Sequence, residues 1–389
     1  MNENRLYLDI HAIQTLPPSN ANRDDTGSPK TAVYGGVRRA RVSSQAWKHA
    51  MRKMFVEDSS LSNKGVRTKY GIHQLADEIK KRDASLDEDA ALKKAMIVFC
   101  KLGIIGGLKN NKQKNDEKKV EKAISKFVED AEKIAKKNDK EVEYKTDVVL
   151  FFSRLQIDKL AELAIDGETE CTEFQRVFNE NPAIDIALFG RMVASNPELG
   201  CDASAQVAHA ISTHGVQTEF DFYTAVDDLA PEDNAGAAML DTIEYNSSTL
   251  YRYAKIAMHD LVRQLGDKRQ AINAAELVIE SFSNSMPTGK INSFANQTLP
   301  QLLMVNIRQD RPVNLVSAFE NPVKAKNGNA EPSIIRLFEE EKKVERFVKK
   351  PLKSIVVLNK EINVPDWADE ENDLGSLIES LCETVEKLL

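Results

Sequence analysis

The chain opens on an alternation. Leu6, Leu8, Ile10 and Ala12 fall on one side of an extended backbone and Tyr7, Asp9, His11 and Ile13 on the other, which predicts a half-buried first strand. Pro17, Pro18, Ser19 and Asn20 then read as loop. Gly35 and Gly36 leave a backbone that can bend sharply or be approached closely. Residues 37–42 read as a short strand with Arg39 and Arg41 on one face and Ala40 and Val42 on the other. Ser43 and Ser44 suit a helix N-cap. Beyond them Ala46, Trp47, Ala50, Met51 and Met54 form an apolar stripe, with Gln45, Lys48, His49 and Arg52 towards the other side.

The period then changes. Over residues 61–182 apolar positions such as Leu75 and Ile79, or Val120, Ile124, Phe127, Ala131 and Ile134, recur at helical spacing and predict a helical insertion. Its lysines, among them Lys119, Lys122, Lys126 and Lys133, are interspersed with acids. They read as an exposed helix with mixed ion pairs, or as a track along a nucleic acid. Residues 184–193 alternate again and predict a strand, and residues 183–226 together read as a projecting hairpin and return strand with Met192 near its exposed end. A methionine there suits the core or any flat apolar surface, a base included. Residues 251–255 and 302–307 read as strands and 271–282 as a helix. Residues 287–292 form a loop with Lys290 and Asn292, 317–326 a run ending in Lys324 and Lys326, and 333–350 a helix with a basic end. From Glu361 onward nine Asp or Glu face one Lys, and Leu374, Leu377, Ile378, Leu381, Val385 and Leu388 make a stripe, so 361–389 reads as a docked acidic helix. Strands separated by helices, with a large helical insertion, predict an α+β fold.

Composition sets the limits on chemistry. At 389 residues, 42% hydrophobic and 29% charged, the chain can bury a large core. Its net charge is -7, yet between Thr26 and Val56 there is no Asp or Glu. That window holds Lys30, Arg38, Arg39, Arg41, Lys48, Arg52 and Lys53, a local field that an anion would feel unless acids from elsewhere pair with it. Cys100, Cys171, Cys201 and Cys382 lie far apart, which points to a reducing cytoplasm and away from disulfides or a thiolate zinc site. The first residues do not read as a signal peptide, and no apolar run approaches the ~18 residues of a membrane-spanning helix, so no membrane partner is expected. The six histidines show no metal-ligand spacing, and phosphate-loop, zinc-protease and nucleophile-elbow motifs are missing. No metal or cofactor is expected. Asp24 and Asp25 could hold Mg²⁺ for phosphodiester chemistry, although Arg23 beside them could simply neutralise one.

The run NRDD, a loop with Lys30, and then AVYGGVRRARVSSQAWKHAMR closely resembles the signature of the CasC family, the backbone subunit of the type I-E CRISPR surveillance complex, Cascade. DIALFGRM with the following AHAISTH, DFYTAVDD with YRYAKI, and AFENPVKAKNG also resemble that family. Residues 100–180 and the acidic C-terminal helix carry no such likeness. The resemblance implies a palm like an RNA-recognition motif (ferredoxin-like), formed by residues 1–60 and 227–360, with helical fingers at 61–182 and a thumb hairpin in 183–226. It implies a non-catalytic protein whose copies stack along CRISPR RNA into a helical filament with other Cascade subunits, the guide then pairing with target DNA. Such a protein needs contacts to the guide backbone alone, because base pairing reads the sequence. Carried over by position, Arg23, Lys30, Arg38, Arg39, Arg41, Ser43, Gln45, Lys48 and Arg52 would face that backbone, and Met192 would meet a displaced base. Lys290 and Asn292 are further RNA candidates. Lys324, Lys326, Lys122 and Lys126 are candidates for contact with the target strand. The alternative is a related backbone subunit that cleaves RNA with a loop aspartate.

Overall fold

The structure, a computed structural model, describes residues 5–57, 63–225 and 239–389. In chain order they form β1 (Tyr7–Ser19), β2 (Thr31–Tyr34), β3 (Val37–Val42) and α1 (Ser44–Glu57). The middle of the chain forms β4 (Gly65–Thr68), α2 (Gly71–Arg82), α3 (Glu88–Lys101), α4 (Asn111–Lys114), α5 (Glu117–Asn138), β5 (Leu150–Ser153), α6 (Arg154–Ile165), α7 (Cys171–Asn179) and α8 (Ile184–Phe189). There follow β6 (Ala205–Val207), β7 (Ala210–Ser212), β8 (Glu219–Ala225), β9 (Met239–Ala257), α9 (Met258–Leu265), α10 (Lys268–Asn284) and α11 (Ile291–Phe294). The chain ends with β10 (Leu302–Arg308), α12 (Ala330–Val344), β11 (Lys353–Leu358), β12 (Asp369–Glu370) and α13 (Leu374–Leu388). They divide into two compact units.

The first unit comprises Met1–Glu57, Ala205–Asp260 and Lys268–Leu389. Its sheet runs β12-β11-β10-β1-β9-β7-β3-β2, with β6 and β8 also paired to β9. All these pairs are antiparallel except β11 with β12. This is an α+β fold, as the alternation of strand and helix patterns predicts. β1 lies in the middle, with Ile10 opposite Val305 on one side and Ala254 on the other. Its alternation does not produce a half-exposed strand, because both faces are covered. Ala12 shares a face with its partner Arg252, which lies against Trp47 of α1 and Phe282 of α10. Ile13 packs on the other face with Tyr251, Tyr253, Phe319, Leu337 and Phe338. The strand also runs through Pro17 and Pro18. They sit where the register with β9 shifts between Leu16 and Ser19, a break in the ladder that tolerates residues without an N–H.

The second unit comprises Asp58–Ser204 and Leu261–Asp267, and it is mostly helical. Ile72, Leu75, Phe99, Val120, Phe152, Leu160 and Phe174 form its core. Helix α5 is the lysine-rich one. Asp116 caps it, Val120 and Ile124 point inward, and exposed Lys119 and Lys133 pair with Asp116, Glu129 and Asp130. The strand expected at 184–193 is instead helix α8. Asp185, Ile186, Ala187 and Leu188 are all buried, so the run carries no face to set a period, and Asp185 accepts a bond from the Gly65 N–H at 3.0 Å. The hairpin ribbon consequently starts later than expected. β8 pairs with residues 239–245 of β9 and with no other strand among the described residues; its junction, 226–238, lies outside them, as do 1–4 and 58–62. At the C-terminus α13 buries Leu377, Leu381 and Val385 and packs against α10 and β11, a docked helix as its stripe predicts.

A buried charge cluster locks β1, β10 and α12. The Arg308 guanidinium lies 3.1 Å from Asp9, bonds Glu341, and donates to the Lys349 carbonyl at 3.0 Å, all three charged side chains being excluded from water. Asp9 also accepts from the Tyr253 hydroxyl at 2.8 Å and the Val313 N–H at 2.9 Å. Burial pushes Asp9 up to about 6 and Glu341 up to about 7, with Arg308 opposing the rise in each. Both acids hold protons more tightly folded than unfolded, so their stabilising contribution is full in acid and declines as pH rises through these values. Arg308→Leu strands two buried carboxylates and is expected to cost about 3–5 kcal/mol, more at pH 8 than at pH 5. Urea unfolding at the two pH values measures both the loss and its direction.

Candidate nucleic-acid interface

The basic window folds into a β-hairpin followed by a helix N-terminus. Gly35 and Gly36, with φ of 58° and 76°, make the two-residue turn between β2 and β3. Gly35 also meets the chain closely, since a Cβ there would stand 1.7 Å from the Glu320 carbonyl oxygen. The loop after β1 is tied to this hairpin. Lys30 N–H donates to the Asn22 carbonyl, Arg41 N–H to the Lys30 carbonyl, and Ser43 N–H to Asn22 Oδ1, each at 2.9 Å. Ser43 caps α1 by accepting from Ala46 N–H at 3.3 Å. The N–H groups of Ser44 and Gln45 make no hydrogen bond among the described residues, which leaves donors at the positive end of the α1 dipole.

The cations divide into two kinds. Arg39 is fully buried. It donates to the carbonyls of Tyr34 at 3.1 Å, Ser212 at 3.1 Å, Phe319 at 2.8 Å and Glu320 at 3.3 Å. Burial lowers its pKa, and among the described residues no carboxylate pairs with it. It cannot face a guide backbone, because its donors already hold the hairpin, β7 and the 315–320 turn together. The hydroxyl of Ser43 is likewise turned to its cap rather than outward. Arg23, Arg38 and Gln45 are exposed, while Lys30, Arg41, Lys48 and Arg52 are half-buried. Burial draws the Lys48 ammonium down from its usual value. Arg41 donates from Nε to the Thr31 carbonyl at 3.2 Å and meets His209 Nδ1 at 3.0 Å through Nη1.

Two further loops join this surface. A Cβ on Gly289 would stand 2.4 Å from the Ala21 carbonyl, so the loop bearing Lys290 and Asn292 lies directly on the loop bearing Arg23. Val323 N–H donates to the Thr213 carbonyl at 2.9 Å, which sets exposed Lys324 and Lys326 beside β7, the neighbour of β3. Asp24 serves its own loop, with Oδ1 accepting from Thr26 Oγ1 at 2.7 Å, Thr26 N–H at 3.0 Å and Ser28 N–H at 3.1 Å. The Thr26 hydroxyl, first among these donors, lowers the pKa of its carboxyl. Among the described residues no three His, Cys, Asp or Glu stand close enough to hold a metal. No helix there is long and apolar enough to cross a membrane.

The family described as CT1975-like protein matches residues 8–384. The chain belongs to this family of CasC-like Cas subunits. It is also similar to a chain of a solved "CRISPR RNA-guided surveillance complex, pre-nicking", with 28% identity and a TM-score of 0.78 over 97% of this chain and 100% of that one. A chain of a "CRISPR RNA-guided surveillance complex" shares the fold, with 24% identity and a TM-score of 0.61 over 97% of this chain and 99% of that one. No curated protein matches. The family and the 28% match make this chain a backbone-type Cas subunit of an RNA-guided surveillance complex.

The other residues expected in such a subunit belong to the second unit. Met192 is 87% exposed, held out by a rigid neighbour. Arg191 is buried, donates to the carbonyls of Leu199 and Phe178 at 2.9 Å each, and lies 4.2 Å from the Phe178 ring centroid. Lys122 and Lys126 are exposed on α5. His209 was not singled out by the sequence. Burial and then the charges of Arg41 and Lys30 lower its pKa, which is the signal of a cationic neighbourhood. A lone histidine between alternating apolar residues carries no such signal by itself. Because Arg39 is structural and Arg38 is not, Arg39→Ala is expected to cost about 2–4 kcal/mol by leaving carbonyls without donors. Arg38→Ala should stay within about 0.5 kcal/mol. Urea unfolding of the RNA-free chain separates them.

Proposed function

We propose that this chain binds CRISPR RNA through the sugar-phosphate backbone, without cleaving it, and that copies of it stack along the guide as the filament of a type I-E Cascade. Guide pairing with target DNA would then occur on that filament. The observation that carries the reading is the gathering, on one hairpin and the loops tied to it, of Arg23, Arg38, Arg41 and Lys290, with Arg38 and Arg41 on opposite faces of β3, beside the free N–H groups of Ser44 and Gln45. Contacts of this kind suit phosphates of any sequence, which is what a protein needs when base pairing does the reading. Lys324 and Lys326 are close enough to the same surface to meet the paired strand. Met192 on its rigid support suits a displaced base, and Lys122 and Lys126 suit approaching DNA.

The second reading, RNA cleavage by a loop aspartate, leans on Asp25, because Asp24 Oδ1 already accepts three bonds from its own loop. The purified chain is to be titrated into labelled single-stranded RNAs of increasing length and resolved on native gels. A ladder whose rungs increase with RNA length is expected, with the RNA intact. Mg²⁺-dependent cleavage lost in Asp25→Ala would replace this reading with the enzymatic one. Arg23→Ala with Arg38→Ala should weaken binding to all sequences alike and flatten the salt slope by about 1.4, since each single-strand phosphate contact contributes about 0.7.

His209 adds a pH dependence. In the free chain its imidazolium is disfavoured by burial, Arg41 and Lys30. A phosphate placed there reverses the sign of that environment, so binding takes up a proton. Affinity for RNA should therefore rise as pH falls from 7.5 to 6, by at most about tenfold per pH unit, the limit for one linked proton. The dependence should flatten in His209→Ala when the same titrations are repeated across pH.

A further inference from the structure

A second cationic surface lies at the far end of β1. The turn after α12 carries Phe347, which is 90% exposed. Arg346, Lys349 and Lys350 flank it in sequence and are exposed. Arg311 joins them, because Lys349 N–H donates to Asp310 Oδ2 at 2.9 Å and so brings the 309–311 turn alongside. None of these four cations has a carboxylate partner among the described residues. The acids nearby are Asp310, engaged by that backbone N–H, and Glu345, paired with Lys342 at 2.9 Å.

The turn is fixed rather than loose. Phe347 N–H donates to the Val344 carbonyl at 2.9 Å, and Val348 N–H to the same oxygen at 3.1 Å. The Lys349 carbonyl accepts from the buried Arg308 at 3.0 Å, and Leu352 N–H donates to Ile307 at 2.8 Å. A large apolar ring exposed on a pinned backbone loses little entropy when something flat covers it. A ring bordered by unpaired cations matches a base with its flanking phosphates.

This surface is separate from the hairpin. Arg308, beside the turn, pairs with Tyr7 at the start of β1, whereas the loop bearing Arg23 leaves the other end after Ser19. Those ends lie about 40 Å apart at ~3.3 Å per residue. We propose that Phe347, with Arg311, Arg346, Lys349 and Lys350, forms a second contact for single-stranded nucleic acid, in which a base stacks on the Phe347 ring and its neighbouring phosphates meet the cations. The inference rests on the RNA-binding reading above and adds a strand contact that the hairpin does not supply.

The test uses the full chain assembled on RNA. Phe347→Ala and the double variant Lys349→Ser, Lys350→Ser are compared with the parent for loading onto labelled RNA and for capture of labelled single-stranded DNA by the RNA-saturated assembly. The ring is exposed, so the first variant should fold as the parent does. Stacking predicts roughly tenfold weaker binding for Phe347→Ala in one of the two arms. The lysine double variant should lose up to about 1.4 of salt slope in that same arm. An effect on loading assigns the strand to the guide, and an effect on capture alone assigns it to DNA. Unchanged binding in both arms overturns the proposal while leaving the RNA reading intact. Variants that bind RNA normally but no longer form the multi-copy ladder would mean that the patch holds an acidic protein surface, which also overturns it. If the parent binds no RNA at all, the underlying reading fails first.

Discussion

A buried guanidinium without an acid holds the basic surface in shape. Arg39 reaches four backbone carbonyls, from Tyr34, Ser212, Phe319 and Glu320, and so joins the hairpin to β7 and to the 315–320 turn. A carboxylate in that position would have satisfied the same donors and cancelled the charge. Carbonyls satisfy the donors and leave the charge in place. Arg252 repeats the arrangement beneath α1, lying 3.6 Å from the Trp47 ring centroid and 4.3 Å from that of Phe282, with the Phe282 carbonyl and Gln14 as its polar partners. Burial brings its pKa down to about 9, which still leaves it charged at neutral pH. At an effective dielectric constant of about 20, a unit charge ~10 Å from another contributes roughly 1.7 kcal/mol before salt screening, so a buried arginine at such range would strengthen the field without touching the ligand. Arg308, at the other end of β1, has Asp9 and Glu341 and adds no net positive charge.

The division between arginines that stay at the surface and arginines that build the fold was not legible in the sequence. Alternation puts Arg39 and Arg41 on one face of β3, and the register with β2 agrees. Yet Arg39 turns fully inward while Arg41 remains half-exposed, because the carbonyls that capture Arg39 come from residues 212, 319 and 320, far along the chain. The local pattern was sound wherever local physics decides. The Trp47, Ala50 and Met51 part of the α1 stripe, the strand β10 and the docking of the C-terminal helix follow from it, whereas α1 buries Phe55 where the stripe names Met54. It misled where burial was total. The apolar run at 184–189 has no exposed side to betray its period, and β1 is covered on both faces by helices that the strand itself does not encode.

The site was legible as a place rather than as a set of contacts. Seven cations in an acid-free window marked the hairpin, but Gly289 against Ala21 and Val323 against Thr213 brought in the loops of Lys290 and Lys324 by packing alone. The same packing introduced Glu320, whose backbone touches Gly35, so the surface is not as free of acids as the window suggests.

Net charge was the least informative property. At -7 the chain as a whole repels a polyanion. The sheet resolves this by distance. Asp369 and Glu370 on β12, with the acidic α13 packed on the adjacent β11, occupy one edge, and β2 with its hairpin occupies the other, seven strand-to-strand steps away. At ~4.8 Å per step that is about 34 Å. The screening length at physiological salt is about 8 Å, so the acids of one edge are not felt at the other. On the proposed reading, a strand of nucleic acid at the hairpin would feel Arg23, Arg41 and the buried charges beneath them, with Arg38 on the other face of β3. The surplus of acid on β12 and α13 therefore lies too far along the sheet to cancel the positive charge gathered at the hairpin.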